Sequence, residues 1–245
     1  MAKVALCTPH GDRSSPGVNR ALLQMQGQYL QHDFVYIEVD SMIIGKARNM
    51  MVETAIPQNV DVVMMIDDDV LVPLNAGELI AQALSLDIVT GVYYNRRMPY
   101  TPQIYELAKE PEYEGTGLYW PIIDVPKEIS EVDACGFGCI AIKMNVFKEL
   151  QRIHEARFKD AAKDIREMDP SFEMIARLVE NMSPWFEFLN RKGEDMYFCE
   201  RAREAGFHIW VDPSVQCEHI SMIPITWEHF EYLKAQKSIV KEIVS

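Results

Sequence analysis

One stretch governs what this chain can become: Val-Asp-Val-Val-Met-Met-Ile-Asp-Asp-Asp-Val-Leu-Val-Pro, over 60–73. The run from Val62 to Ile66 is short, apolar and partly β-branched, with polar residues on both sides, so it reads as a buried strand. It ends abruptly in Asp67, Asp68 and Asp69. Adjacent carboxylates at the end of a buried strand repel one another and lose hydration. A cation beside them offsets both costs, and an all-oxygen ligand set suits a hard ion such as Mg2+ or Mn2+. A solvated acidic turn is the competing reading, and the stretch alone does not separate the two.

The surroundings of that strand repeat a pattern. Lys3 to Cys7 reads as a strand, followed by a loop at Thr8-Pro9-His10-Gly11-Asp12. Ser14-Ser15-Pro16 resembles a capped helix start, with the helix running to about Leu30. Phe34 to Val39 is a second strand ending in Asp40, and Gly45 to about Ile56 has helical spacing. After the acid turn, Ala76, Leu79, Ile80, Ala83 and Leu84 mark an amphipathic helix, and Asp87 to Tyr94 a fourth strand. Strands alternating with helices predict a mainly parallel sheet covered on both faces. Ligands in such sheets sit at the carboxyl ends of the strands, which is where Thr8-Pro9, Asp40 and the three acids fall.

The middle is less regular. Asn95 to Gly117 reads as a loop excursion with an acidic patch around Glu106 to Glu114 and a short strand at Gln103-Ile104-Tyr105. Arg96 and Arg97 open it; paired guanidinium groups suit a diphosphate, and ordinary surface charge explains them equally well. Leu118 to Ile123 and Glu131 to Asp133 resemble strands. Ala134 to Cys139 is a glycine turn before a strand at Ile140 to Lys143; Gly136 and Gly138 either admit a ligand to the backbone or serve a bulge. Asn145 is the expected cap of a helix to about Ile153, and two further helices over Phe158 to Val179 are broken at Asp169-Pro170. Glu194 and Asp195 open a helix that Gly206 ends; the helix dipole alone accounts for acids there. His208 to Val211 is a short strand, Asp212-Pro213 a turn, and Phe230, Leu233, Val240 and Val244 outline a last helix.

Composition excludes some functions. The net charge of −13 argues against non-specific binding to a phosphate backbone, though it leaves nucleic acid open as an acceptor. No apolar run approaches membrane-spanning length and the start lacks a signal-peptide pattern, so a cytoplasmic protein is expected. The five cysteines are scattered and complete no zinc site, which predicts reduced, buried thiols.

Taken together, these pieces resemble a GT-A-type glycosyltransferase, close to the bacterial and phage branch of small nucleotide-sugar transferases. The matching segments occur in order: Thr8-Pro9, Gly45-Lys46-Ala47-Arg48-Asn49, the DxD as Asp67-Asp68-Asp69, the Asp133 to Gly138 turn, Gly193-Glu194-Asp195, and Asp212-Pro213 followed by His219. The resemblance implies a Rossmann-like three-layer α/β/α sandwich: residues 1–95 form the nucleotide-sugar half, 96–222 the acceptor half, and 223–245 a C-terminal helix. It also implies residue roles. Asp69 and His219 bind a divalent cation, Mn2+ or Mg2+, with Asp67 towards the ribose or the metal's water shell. Thr8, Pro9, Asp40, Arg48, Asp67 and Asp68 contact the nucleotide sugar, with a UDP-sugar favoured. Asp195 faces the acceptor hydroxyl as base or positioning group, with Glu194 second. Gly136, Phe137, Gly138 and Trp185 are the candidate sugar and acceptor contacts. The acceptor is a hydroxyl compound of unassigned class. Two alternatives stay open: a nucleotidyltransferase-like enzyme that makes activated sugars, and a non-catalytic sugar-nucleotide-binding module of the same fold.

Overall fold

The structure is a computed structural model that describes residues 1–11, 16–40, 42–97, 99–109, 118–189 and 192–221. The expected cap at Ser14-Ser15, part of the acidic patch before Gly117 and the expected C-terminal helix lie outside the described residues.

A seven-stranded sheet carries the fold. Its strands are β1 (Lys3–His10), β2 (Asp33–Asp40), β3 (Val62–Ile66), β5 (Ile88–Val92), β8 (Ser130–Val132), β10 (Cys139–Lys143) and β11 (Ile209–Gln216), ordered β2-β1-β3-β10-β5-β11-β8. β1, β2, β3, β5 and β11 run one way; β10 and β8 run against them. β10 therefore sits antiparallel in the centre, between β3 and β5.

Period-two alternation divides the core into two layers. Val4 and Leu6 of β1, with Val62, Met64 and Ile66 of β3, face α1 (Pro16–Gln28) and α3 (Glu78–Leu86). Ala5, Cys7, Val63 and Met65 face the other way, onto α2 (Ile44–Ala55), α4 (Met144–Met168) and α6 (Glu194–Glu204). Both faces of β3 are covered, so every residue of it is buried. β7 (Tyr119–Pro121), β6 (Ile104–Leu107) and β9 (Ala134–Cys135) form a smaller sheet, and β4 (Val70–Leu71) pairs with β12 (Glu218–His219).

Four local expectations change. β1 runs on to His10, so Thr8-Pro9-His10 is strand and not loop, paired with Glu38, Val39 and Asp40 of β2. Met144–Met168 is one continuous helix, because His154 to Arg157 contains no breaker and the buried His154 keeps the inward face running. Its N-cap is Lys143, so Asn145 lies inside the helix and does not cap it. Asp212-Pro213 is not a turn between strands but part of β11, whose register shifts between Val211 and Gln216; proline is tolerated at such an irregularity. The break at Asp169-Pro170 holds, with the Asp169 carboxylate accepting from the Ser171 amide before α5 (Glu173–Glu180). All five cysteines are buried with free thiols. Among the described residues no helix is long and apolar enough to cross a membrane.

Candidate active site

The acid turn at the end of β3 sends its three carboxylates in three directions. Two backbone bonds shape it: the Asp67 amide donates to the Gly138 carbonyl at 3.2 Å, and the Val70 amide to the Asp67 carbonyl at 3.1 Å. Asp68 accepts from the Gly11 amide at 2.7 Å, tying the turn to the end of β1. Asp67 turns inward to Arg48, and Asp69 turns outward to His219 and Arg96.

His219 reaches Asp69 because β12 pairs with β4, which sets His219 opposite Val70, while the Ile220 amide donates to the Asp69 carbonyl at 2.8 Å. The imidazole Nδ1 lies 2.7 Å from the Tyr94 carbonyl. A carbonyl can only accept, so Nδ1 carries the proton and Nε2 is left to face Asp69 Oδ1 at 3.3 Å. That is how a ligating histidine is oriented, one nitrogen fixed by a backbone acceptor and the other aimed into the site. Burial works against the imidazolium, but the Asp69 bond and the Tyr94 carbonyl outweigh it and raise the His219 pKa. For Asp69, burial pushes the pKa up, but His219 and Arg96 more than offset it and the carboxyl titrates lower than usual.

Beneath the turn, Arg48 of α2 gathers the acids from two distant segments. Its Nη1 donates to Glu194 Oε1 at 2.7 Å, its Nη2 to Asp67 Oδ1 at 3.0 Å, and Asp195 Oδ1 lies 3.7 Å away. The guanidinium is 2% exposed and stacks over Phe137, 5.2 Å from the ring centre. One cation cannot neutralise three carboxylates. Burial and the neighbouring Asp195 push Glu194 up to about 7 against the pull of Arg48. Gly45, one turn earlier, makes this convergence sterically feasible: a Cβ there would meet Phe188 at 3.3 Å and Glu194 at 3.4 Å.

A cleft of about 340 Å³, within the size range of small-ligand sites, opens at the acid turn; Arg48, Glu194, Asp195 and His219 are not among its lining residues. Pro9, Asp67, Asp68 and Asp69 line it as the sequence suggested, joined by His10, Gly11, Met42 and Arg96. Thr8 is buried behind Pro9, and Asp40 lies exposed at the end of β2, in register with His10. Asp195 is a quarter exposed. Four expectations are corrected. Phe137 is fully buried against Phe186 and Phe198, and Trp185 is 2% exposed with its indole donating to the Phe147 carbonyl, so both rings belong to the core. Gly136 and Gly138 are also buried, and their missing side chains make room for Tyr93: a Cβ at Gly138 would sit 2.7 Å from its ring. A larger cleft of about 530 Å³, between the 125–129 loop and β11, has no such chemistry; its buried acid, Asp212, is already bonded to Gln82 and Ser214.

His10 and Gly11 went unassigned as site residues although they follow Pro9 directly; their signal was position at a strand end. Met42 had no sequence signal, since an isolated methionine after a strand is common.

No protein-family model matches the chain, and no curated protein matches its sequence. Solved structures do. The crystal structure of A197 from STIV is similar with a TM-score of 0.52 at 16% identity, over 90% of this chain and 86% of that one. The crystal structure of GalNAc-T7 with UDP, GalNAc and Mn2+ is similar with a TM-score of 0.54 at 10% identity. That match covers 91% of this chain and 44% of the longer neighbour. The fold is the GT-A three-layer α/β/α sandwich, with its mainly parallel central sheet.

The donor set also bears on the cation. Among the described residues, no group of three or more His, Cys, Asp or Glu converges on one point. Asp69 and His219 face each other as a pair, and Arg48 engages Asp67. Such a pair fits a divalent cation that takes its remaining oxygens from a diphosphate and water, as Mg2+ and Mn2+ commonly do.

Proposed function

We propose that this protein is a metal-dependent glycosyltransferase that moves a sugar from a nucleoside diphosphate sugar to an acceptor hydroxyl. The observation that carries this reading is the meeting of Asp69 and His219 across 3.3 Å at the carboxyl edge of a GT-A sheet, with Asp69 lining the adjoining cleft.

Asp69 and His219 are the proposed cation ligands, and a bound Mn2+ or Mg2+ offsets the negative charge that grows on the leaving diphosphate. Thr8, Pro9 and Asp40 are the proposed nucleoside contacts. Asp68, fixed by the Gly11 amide, holds the β1 loop against the acid turn. A UDP-sugar donor draws support from the GalNAc-T7 structure, which contains UDP. Transfer breaks the bond between the anomeric carbon and the phosphate oxygen and forms one from that carbon to the acceptor oxygen. In an inverting reaction the acceptor proton passes to Asp195, the exposed member of the acid pair. In a retaining one it passes to the leaving phosphate, and Asp195 positions the acceptor. Glu194 is buried and held by Arg48, which suits it to aligning its neighbour.

The test is a thermal-shift panel of UDP, GDP, CDP, ADP and dTDP, each with Mn2+ and with EDTA. A nucleotide at a hundred times its dissociation constant adds about 2.7 kcal/mol to stability. One Mn2+-dependent hit, lost in Asp69→Asn, supports the reading and names the donor class. Silence across the panel refutes it.

A further inference from the structure

Both oxygens of the Asp69 carboxylate have a side-chain partner. Oδ1 faces His219 Nε2, and Oδ2 accepts from Arg96 Nη1 at 2.5 Å. His219 belongs to a strand pair and has its other nitrogen fixed. Arg96 is attached differently. It extends from the loop after β5, its side chain is 54% exposed, and it lines the cleft together with the three acids. The loop backbone is well tied: the Asn95 amide donates to the Thr101 carbonyl at 2.9 Å, the Arg97 amide to Asn95 Oδ1 at 3.0 Å, and the Tyr100 amide to the Arg97 carbonyl at 2.8 Å. The root of Arg96 is thus held while its long side chain reaches into the cleft lining.

A guanidinium on Asp69 Oδ2 has the same sign as a divalent cation and takes the same oxygen. We propose that Arg96 is an exchangeable counter-ion: it neutralises Asp69 until cation and donor arrive, is displaced from the carboxylate, and then pairs with the diphosphate. This rests on the transferase reading above. The guanidinium fork matches two phosphate oxygens, so the residue loses no partner in the exchange. A self-ligand that must leave first lowers the apparent affinity for the cation, in proportion to the fraction of protein it occupies. Removing Arg96 therefore has two opposite effects. The cation alone binds more tightly, and the nucleoside diphosphate binds more weakly. A guanidinium that only braced the loop would produce neither split.

The experiment titrates Mn2+ alone, then UDP and GDP at saturating Mn2+, into wild type, Arg96→Ala, Arg97→Ala and Asp69→Asn, read by Mn2+ paramagnetic resonance and calorimetry. In Arg96→Ala, Mn2+ alone tightens by about three- to tenfold, and the nucleotide weakens by about tenfold. Arg97→Ala removes an equal charge one residue away and leaves Mn2+ affinity unchanged. Asp69→Asn abolishes the tight Mn2+ signal. Unchanged or weaker Mn2+ binding in Arg96→Ala overturns the proposal, as does an equal gain in Arg97→Ala, which would mark a general field effect. If wild type binds Mn2+ at Asp69 but no nucleotide, the transferase reading fails, while the Mn2+ arm still decides whether Arg96 competes for Asp69.

Discussion

Asp67 and Asp69 come from the same turn and are almost equally exposed, at 24% and 27%, yet they meet opposite kinds of arginine. Arg48, the partner of Asp67, is 2% exposed, rises from a helix and is locked by Glu194 and the Phe137 ring. Arg96, the partner of Asp69, is 54% exposed on a loop. The same ion-pair chemistry thus does two jobs. A buried guanidinium that cannot leave fixes the geometry of the acids around it, because its departure would strand them without hydration. A half-exposed one can be replaced by another cation, because water receives it when it goes. Fixed acids at Asp67 and Glu194, next to an exchangeable one at Asp69, are what a site needs if it must hold an acceptor-facing carboxylate still while admitting a cation and a diphosphate.

The largest effect that tests this contrast belongs to Arg48→Ala. It leaves Glu194 and Asp67 without their cation and is expected to destabilise the fold by about 3–5 kcal/mol, seen as a fall in melting temperature of roughly 6–20 °C. Transfer is lost with it. Arg48→Lys keeps the charge but not the fork, and should recover part of the stability. If Arg48→Ala melts like wild type, Asp67 and Glu194 are not held in the way described.

Asp195→Asn comes next and touches reaction rather than stability. The side chain is a quarter exposed and 3.7 Å from Arg48, so removing its charge should leave melting and donor affinity close to wild type. Turnover is expected to fall by about 10²- to 10⁴-fold, the usual contribution of a positioned proton acceptor. Steady-state transfer alongside UDP binding separates the two; equal losses in both would make Asp195 a donor contact.

Much of this architecture is legible in the sequence, and the exceptions share a cause. β3 and the alternating first half follow from local periodicity, since each strand and helix is defined by its own residues. The antiparallel insertion of β10 between β3 and β5 is a pairing over more than forty positions in sequence, which no local pattern encodes. In the site, Asp69 and His219 were joined only through a family resemblance, because nothing in a lone histidine distinguishes a ligand from a core residue. Phe137 and Trp185 differ from expectation for the opposite reason: an aromatic side chain suits a sugar platform and a buried anchor equally, and only packing decides. Arg48 was assigned to the nucleotide through the same resemblance, and helix spacing gives its position but not its depth.

The Glu194 charge sharpens the contrast at smaller scale. Burial and Asp195 raise its folded pKa to about 7 from an ordinary 4.5. A carboxyl that is harder to ionise when folded binds its proton more tightly in the native state. Its contribution to stability is therefore present below about 4.5 and declines as pH rises through 7. The expected slope between those limits is at most about 1.4 kcal/mol per pH unit, and the neighbouring Arg48 keeps the true value below that. Denaturant melts of wild type and Glu194→Gln at pH 5, 6, 7 and 8 measure it. The glutamine retains an oxygen for Arg48 and cannot ionise, so its stability should lose this decline and the two proteins should diverge most at pH 8. Parallel curves would mean that Arg48 already holds Glu194 fully ionised at low pH. In that case the buried cluster would be electrostatically as relaxed as the exposed pair at Asp69, and the distinction between the two arginines would rest on packing alone.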